Sequence, residues 1–218
     1  MKILNSPTIR RMPTYLHRLF RLRMSGQEWV SCAALAQYMR IPHIMVRKDI
    51  AMTGLPGNKR HGFKVVDLID AILRLLGWDK ASTATLAGAG SLGAALLGFD
   101  EFRSYNFRIE SVFDSSPEKI GRMIHGHEVL DIADIQQCLK LAPPKVGIIC
   151  VPSVAAQKVA DTMVELGIKY LWNFSNVCLN VPPGVIVQRE VIAGGLAVLF
   201  AKMNKAESGD VDTETVEE

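Results

Sequence analysis

The chain has 218 residues, of which 49% are hydrophobic, and a net charge of +3, so it suits one large domain or two small ones. No apolar run reaches about 18 residues, and the N-terminus lacks the apolar core of a secretory signal, so neither a membrane span nor secretion is predicted. The four cysteines (Cys32, Cys138, Cys150 and Cys178) form no CxxC pair, which favours buried thiols in a cytoplasmic protein over disulfides or a metal site.

The charge is divided unevenly along the chain. Residues 1–80 contain 14 Lys and Arg against 5 Asp and Glu, a net charge of +9, whereas residues 81–218 carry −6. This asymmetry predicts two modules with different partners. A basic surface attracts polyanions, so nucleic acid is the expected partner of the first module, with an ordinary solvated basic face as the alternative.

The first module is predicted to consist of helices closed by a hairpin. Pro13 suits the first turn of one helix, Ser31 is a good N-cap for a second, and Pro42 opens a third. Only two residues separate the second and third helices, as in a helix-turn-helix. Asp67 is expected to cap a last helix, which ends at Gly77.

Basic residues mark the predicted DNA-binding surface of this module. In the third helix Val46 and Ile50 would face the core, so that Arg47 and Lys48 project outward. The following segment, GLPGNKRHGFKVV, has the glycines and basic tip of a wing, although it is also compatible with a plain surface loop. The candidate DNA contacts are Arg10, Arg11, Arg47, Lys48, Lys59, Arg60 and His61.

The second module begins with a short apolar strand, 84–87, and a glycine-rich turn. In GAGSLG, Gly88 permits the bend, Gly90 lets a pyrophosphate approach the backbone, and Gly93 lets the next helix pack closely on the strand. The free N–H groups at the start of that helix favour phosphate binding. The candidate cofactor contacts here are Gly88, Ala89, Gly90, Ser91, Leu92 and Gly93.

A second strand, FRIESVFD, ends in Asp114, 21 residues after Gly93. A carboxylate at this place accepts both ribose hydroxyls of an adenosine and repels a 2′-phosphate, which favours NAD(H) over NADP(H). The alternative is that Asp114 is only a turn residue, since two serines and a proline follow it.

Three further strands are predicted at 146–151, 170–174 and 185–187, with helices between them, so the sheet is expected to be parallel. Val151 and Pro152 end the first of these strands at the carboxyl edge and are also candidate cofactor contacts. The helix VIAGGLAVLFAKM has little polar surface and needs cover, for which another subunit is the expected source. The segment after Lys205 has six acidic and no basic residues, which predicts disorder.

Seven segments, taken in order, resemble the redox-sensing transcriptional repressor family Rex over about residues 7–200. They are VRKDI, HGFKV, GAGSLG, residues 113–121, VPSVAAQ, GIKYLWNF and VPPGVIV. The resemblance implies a cytoplasmic homodimer that binds operator DNA and releases it when NADH binds. It also implies an α/β fold with a winged helix-turn-helix domain (1–80) and a Rossmann-type parallel-sheet domain (81–188). A C-terminal helix exchanged between subunits (189–205) and a disordered acidic tail (206–218) would follow.

Three positions depart from the family pattern. The family commonly has Arg, Tyr and Asp where this chain has His17, Phe99 and Val191, and those groups form a polar contact that changes with NADH. Glu190 or Arg18 would have to substitute from a neighbouring position, and a shift of one residue on a helix turns the side chain by about 100°. In the wing, Arg60 and His61 replace Gly and an apolar residue. We therefore expect NADH to release DNA less strongly than is usual for Rex.

Two alternatives remain from the residues themselves. One is an NAD-dependent dehydrogenase with an N-terminal extension, but no Tyr in the chain is followed by Lys four residues later. His125 and His127, the only histidines of the second module, are expected in a loop before a strand rather than in catalysis. The other is a related regulator that responds to another nucleotide, such as one like CoA. The sequence therefore favours a repressor over an enzyme.

Overall fold

The computed structural model describes residues 6–208. The chain divides into two compact units between Lys80 and Ala81. Within residues 6–208, no helix is long and apolar enough to cross a membrane. Of the predicted acidic tail, residues 209–218 lie outside the described part, and the preceding helix continues to Glu207, two residues past Lys205.

The first unit has the order helix, strand, helix, helix, strand, helix. Its elements are α1 (Ser6–Met24), β1 (Trp29–Val30), α2 (Cys32–Met39), α3 (His43–Ala51), β2 (Phe63–Lys64) and α4 (Val65–Leu76). The two short strands pair antiparallel, with Trp29 opposite Lys64. Between α2 and α3 the chain turns at Arg40, which adopts a left-handed φ of 55°. This arrangement confirms the winged helix-turn-helix fold.

Local details of this unit differ from the sequence expectation. Pro13 lies inside α1, not in its first turn, because buried residues on both sides of it, Thr8 and Tyr15, keep the whole segment packed. Asp67 lies in the first turn of α4 and does not cap it. The cap is Lys64, three residues earlier, because Val65 is buried and donates its N–H to the Glu28 carbonyl at 2.9 Å. Packing and backbone pairing thus override the local signals.

The second unit is built on a seven-stranded sheet flanked by helices. Its strands are β3 (Ser82–Ala87), β4 (Phe107–Asp114), β5 (Met123–Ile124), β6 (His127–Asp131), β7 (Val146–Ile149), β8 (Tyr170–Asn173) and β9 (Ile186–Arg189). Their order is β5-β6-β4-β3-β7-β8-β9, and every pair except β5–β6 is parallel. The helices are α5 (Ser91–Leu97), α6 (Glu101–Ser104), α7 (Ile135–Leu139), α8 (Ser153–Glu165) and α9 (Ile192–Glu207).

Strand order decides where ligands bind on this sheet. The chain starts in the centre at β3, goes outward through β4 and β6, and returns to the other side of β3 with β7. The carboxyl ends of β3, β4 and β7 therefore meet at the point where the order reverses, which is where open parallel sheets bind ligands. The predicted Rossmann-type sheet is confirmed.

Two expectations about this unit were wrong. His127 belongs to β6, whose pairing with β4 was not foreseen, because the sequence HEVLD is short and mostly polar. None of the four cysteines is fully buried: Cys32 and Cys150 are half-buried, and Cys138 and Cys178 are exposed, Cys138 because α7 buries Ile135 and Leu139 instead.

Candidate nucleotide cleft and nucleic-acid surface

The turn after β3 has a geometry that only glycine permits at its first position. Gly88 has a φ of +101°. A Cβ atom there would lie 2.5 Å from the carbonyl oxygen of Cys150, which directly follows β7. Its N–H donates to the Phe113 carbonyl at 2.7 Å, which continues the β3–β4 pairing into the turn. The turn is thus held between β4 and the end of β7.

The next two glycines have different surroundings. A Cβ atom on Gly90 would have no heavy atom within 4 Å, so the backbone there faces open space from which a ligand can approach. A Cβ atom on Gly93 would collide with the Gly88 carbonyl, because α5 packs directly on the turn. Of the other predicted contacts in this motif, Ala89 is buried, Leu92 is half-buried and Ser91 is exposed.

Asp114 lies at the end of β4 next to this turn and is 8% exposed. Its Oδ2 atom accepts a hydrogen bond from Ala89 N–H at 2.8 Å and another from Lys119 Nζ at 2.9 Å. Its Oδ1 atom accepts from Ser116 N–H at 2.9 Å. The carboxylate therefore connects the glycine turn with the segment that follows β4.

The protonation state of Asp114 follows from these contacts. Burial, the largest single effect, raises the pKa of the carboxyl. The hydrogen bonds from Lys119, Ser116 and Ala89 and the charge of Lys119 outweigh it, so the pKa lies below its ordinary value. Asp114 is consequently a carboxylate at neutral pH and can accept hydrogen bonds from hydroxyl groups.

A cleft of about 950 Å³ opens at this point. Gly88, Gly90 and Asp114 form one side, and Val151 and Pro152, which follow β7 because the strand ends at Ile149, form part of the other. The structure thus brings the glycine turn, the acidic residue and the strand end together. This concave shape at the switch point fits an adenine nucleotide.

The cleft contains polar residues that the sequence argument did not single out. They are Ser115, Ser116, Lys119, Gln136, Lys158 and Thr162. Lys119 could have been noticed from its place five residues after Asp114. Ser116 likewise follows Asp114 by two residues. Gln136, Lys158 and Thr162 come from α7 and α8, and their helical spacing carried no sign that they face this cleft.

In the first unit, α3 presents one exposed face. Arg47 and Lys48 are exposed, whereas Val46, Asp49 and Ile50 are buried. Ile44, 58% exposed, lies three and four residues before the two basic side chains and so shares their face. Ile44 was not among the residues predicted to face DNA, although its helical spacing to Arg47 and Lys48 is visible in the sequence.

The wing is a tight turn fixed to β1. Lys59, Arg60 and His61 are exposed, and the Asn58 side chain accepts hydrogen bonds from the N–H groups of Arg60 (2.8 Å) and His61 (3.0 Å). The ring of His61 lies 5.4 Å from that of Trp29. Lys59 and Arg60 are therefore exposed cations at the tip of the turn, whereas the His61 ring packs against the Trp29 ring.

The two predicted contacts in α1 differ from each other. Arg10 is exposed, but the guanidinium of Arg11 donates to both carboxylate oxygens of Asp49 at 2.8 Å. Asp49 also accepts from the hydroxyls of Thr8 and Tyr15, each at 2.9 Å. Arg11 thus links α1 to α3 inside the unit, and its charge is directed to Asp49.

The pKa of Asp49 reflects this cluster. Burial acts most strongly and raises it, but the hydrogen bonds from Arg11, Thr8 and Tyr15 together lower it below the ordinary value. The pKa of Tyr15 is raised, by burial first and by Asp49 second, so the phenol remains a donor. The cluster holds α3 rigidly against α1 because every member is satisfied.

The two histidines of the second unit lie away from the nucleotide cleft. His125 and His127 line a separate cleft of about 540 Å³ near the amino ends of β4 and β6, with Arg103 and Arg108. A substrate that exchanges hydride with a nicotinamide at the carboxyl ends of the strands would lie at the opposite edge of the sheet from these histidines. Within residues 6–208, no group of three or more His, Cys, Asp or Glu side chains is placed to hold a metal ion.

Phe99, one of the positions that depart from the family pattern, and the possible substitutes Glu190 and Arg18 make contacts within their own units. Phe99 is 45% exposed and packs edge-on against Phe102, with ring centroids 4.8 Å apart. Glu190 accepts a hydrogen bond from Trp172 Nε1 at 3.3 Å, and Val191 beside it is 43% exposed. The guanidinium of Arg18 lies over the Tyr38 ring at 4.9 Å. Glu190 and Arg18 would thus have to change these contacts to substitute for the family's groups.

Comparison with known proteins gives matches over nearly the whole chain. A family model described as "CoA binding domain" matches residues 79–177, and one described as "Putative DNA-binding protein N-terminus" matches residues 4–51. The redox-sensing transcriptional repressor Rex of Treponema denticola is 39% identical over 93% of this chain and 97% of its own. Rex of Desulfitobacterium hafniense is 37% identical over 91% and 96%.

Solved structures agree with these matches. The Rex-family repressor RSP in complex with NAD⁺ and operator DNA superposes with a TM-score of 0.84, at 29% identity, over 99% of this chain and all of that one. RSP in complex with NADH superposes with a TM-score of 0.81, at 28% identity, over 96% and 99%.

Proposed function

This chain belongs to the family of redox-sensing transcriptional repressors Rex, and from that premise we propose that it binds operator DNA and senses the NADH/NAD ratio. The observation that carries the proposal is the combination of two units in one chain. One is a winged helix-turn-helix with an exposed basic face, and the other is a parallel sheet with Asp114 hydrogen-bonded to its glycine turn.

The nucleotide site that we propose uses the turn of residues 88–93, Asp114, Val151 and Pro152. The pyrophosphate would lie against Gly90, where the backbone is open, and the adenosine ribose would donate its hydroxyls to Asp114. NAD(H) acts here as a bound effector, so the protein has to bind it differently in its two states rather than react with it.

The proposed DNA surface consists of the exposed face of α3 and the tip of the wing. Arg47 and Lys48 would enter the major groove with α3, and Lys59 and Arg60 would contact phosphates or the minor groove. His61 remains a candidate at the wing, and Arg10 a candidate for a phosphate. We assign Arg11 to holding α3 in place, because its guanidinium is bound to Asp49.

We further propose a homodimer in the cytoplasm. Helix α9 exposes a stripe of apolar residues at helical spacing, including Ile192 (69% exposed), Leu196 (56%) and Leu199 (53%). Exposed apolar surface of this kind is stabilised when another subunit covers it. Exchange of α9 between two copies would supply that cover.

The dehydrogenase alternative has no support from the site. The family to which the chain belongs is named for repression, and His125 and His127 line the other cleft, at the amino ends of the strands. A proton donor for hydride transfer has to be within hydrogen-bond reach of the substrate.

Gel-shift titrations on upstream DNA from the source genome, with and without NADH, test the proposal. We expect a specific complex at physiological salt that weakens when NADH is added. Thermal-shift measurements with NADH, NAD and CoA run beside them: NADH should raise the melting temperature more than CoA does. Stabilisation by CoA alone would instead support a regulator of a different nucleotide.

A further inference from the structure

The Asp114 carboxylate is largely occupied by donors of the protein itself. Ala89 N–H and Lys119 Nζ both donate to Oδ2, and Ser116 N–H donates to Oδ1. An ionised carboxylate offers about four acceptor positions. Only one position is therefore left for a ligand.

A ribose that presents two hydroxyls needs two of these positions. The N–H groups of Ala89 and Ser116 belong to the backbone of two turns and cannot leave without unfolding them. Lys119 can leave, because its side chain is 37% exposed and its ammonium is carried on a flexible stem. The ribose would hence displace Lys119 from Asp114.

We propose that Lys119 sets how strongly this cleft discriminates between NAD(H) and NADP(H), an inference that rests on the proposed function. After it leaves Asp114, the ammonium stays close to the 2′ position of the ribose, because the stem begins only five residues away in the same turn. A 2′-phosphate provides it with strong charged acceptors, whereas a 2′-hydroxyl provides a weak one.

Lys119 consequently offsets the repulsion between Asp114 and a 2′-phosphate. The site tolerates NADP(H) better than an aspartate alone would allow, while the carboxylate still favours NAD(H). Lys158 lines the same cleft but makes no hydrogen bond to Asp114 among the described residues, so it does not share this role.

Calorimetric titrations of the full chain with NADH and NADPH test the inference. In Lys119→Met the ratio of the NADPH to the NADH dissociation constant should increase about tenfold or more, as expected for loss of one charge-assisted hydrogen bond. Lys119→Gln should show the same trend. Lys169→Met, which removes an exposed lysine just before β8 at the amino edge of the sheet, is the matched control and should keep the parent ratio.

Asp114→Ala supplies the opposite change. When the Asp114 carboxylate is removed, Lys119 remains as an unpaired cation in the cleft. The ratio of the NADPH to the NADH dissociation constant should therefore fall below that of the parent. An unchanged or smaller ratio in Lys119→Met, or no measurable NADPH binding by the parent, overturns the inference. Failure of the parent to bind NADH overturns the proposed function instead.

Discussion

At the scale of single residues, the three glycines of the turn have separate physical roles. Gly88 is required by its backbone conformation and by the approach of Cys150, and Gly93 is required by the packing of α5 on the turn. Gly90 is required by neither, since its φ of −76° is open to any residue and its surroundings are empty. The fold therefore does not require glycine at position 90, which agrees with the proposed approach of a pyrophosphate there.

Gly90→Val should accordingly abolish NADH binding without a change in thermal stability, because the added side chain fills only the space that the pyrophosphate needs. Calorimetry and a thermal melt measure the two quantities. Gly88→Val is the contrasting variant: it should lower the melting temperature, since a side chain there meets the Cys150 carbonyl. Unchanged NADH affinity in Gly90→Val would remove the turn from the site.

At the scale of elements, the Asp49 cluster determines how α3 is held. Four polar side chains join α3 to α1, and Asp49 itself is 1% exposed. A buried carboxylate is favourable only while its partners are present, so the cluster specifies one position for α3 relative to α1. The exposed Arg47 and Lys48, which we propose to contact DNA, take their direction from this contact.

Asp49→Asn should destabilise the protein by about 3 kcal/mol, because it leaves the largely buried Arg11 guanidinium without its counter-ion. Urea unfolding measures this change. Asp70→Asn, an exposed position on α4, is the control and should change stability by less than about 0.5 kcal/mol. Similar losses in both variants would contradict the role given to the cluster.

The same carboxylate predicts a pH dependence. The pKa of Asp49 is lower in the folded chain than its unfolded value of about 3.9, so its contribution to stability is complete above that pH. The contribution is lost as the pH falls from about 4 through the folded pKa. The difference in unfolding free energy between the parent and Asp49→Asn should therefore shrink over this acidic range.

The exposed face of α3 makes a separate prediction at this scale. Arg47→Ala combined with Lys48→Ala should weaken DNA binding, reduce the salt slope by about 1 for each phosphate that is no longer bound, and leave stability unchanged. If one of these side chains contacts a base edge, its loss should also reduce the discrimination at that base pair by about 1–3 kcal/mol. Arg74→Ala with Lys80→Ala removes the same charge from exposed positions outside α3 and the wing, and should retain most of the affinity. Parent-like binding by the α3 variant would disprove its role.

At the scale of the whole molecule, the response to NADH depends on a difference in affinity between two states. NADH releases DNA only if it binds the DNA-incompetent state more tightly, however strong the binding itself is. His17, Phe99 and Val191 replace the polar groups of the family pattern. Loss of a charge-assisted hydrogen bond costs about 1–3 kcal/mol, as much as a typical allosteric coupling.

NADH affinity should consequently change by less than about a hundredfold when operator DNA is added, and operator affinity by the same factor when NADH is saturating. Paired titrations measure both ratios, and linkage requires them to agree. A larger factor would show that other contacts, such as those of Glu190 or α9, carry the switch.

The sequence by itself determined the kinds of element, the two-module division of charge and the chemistry at the glycine turn and Asp114. These depend on local spacing: turn glycines, helical periodicity and an acidic residue at a strand end are visible along the chain. Only the tertiary structure decided that Arg11 binds Asp49, that Lys119 occupies the carboxylate of Asp114, and that β6 pairs with β4. Arg11 and Asp49 lie 38 residues apart, and no local pattern reports which distant partner a charge will find. Burial decides such contacts, because a charged group removed from water has to be paired by whatever the fold places beside it.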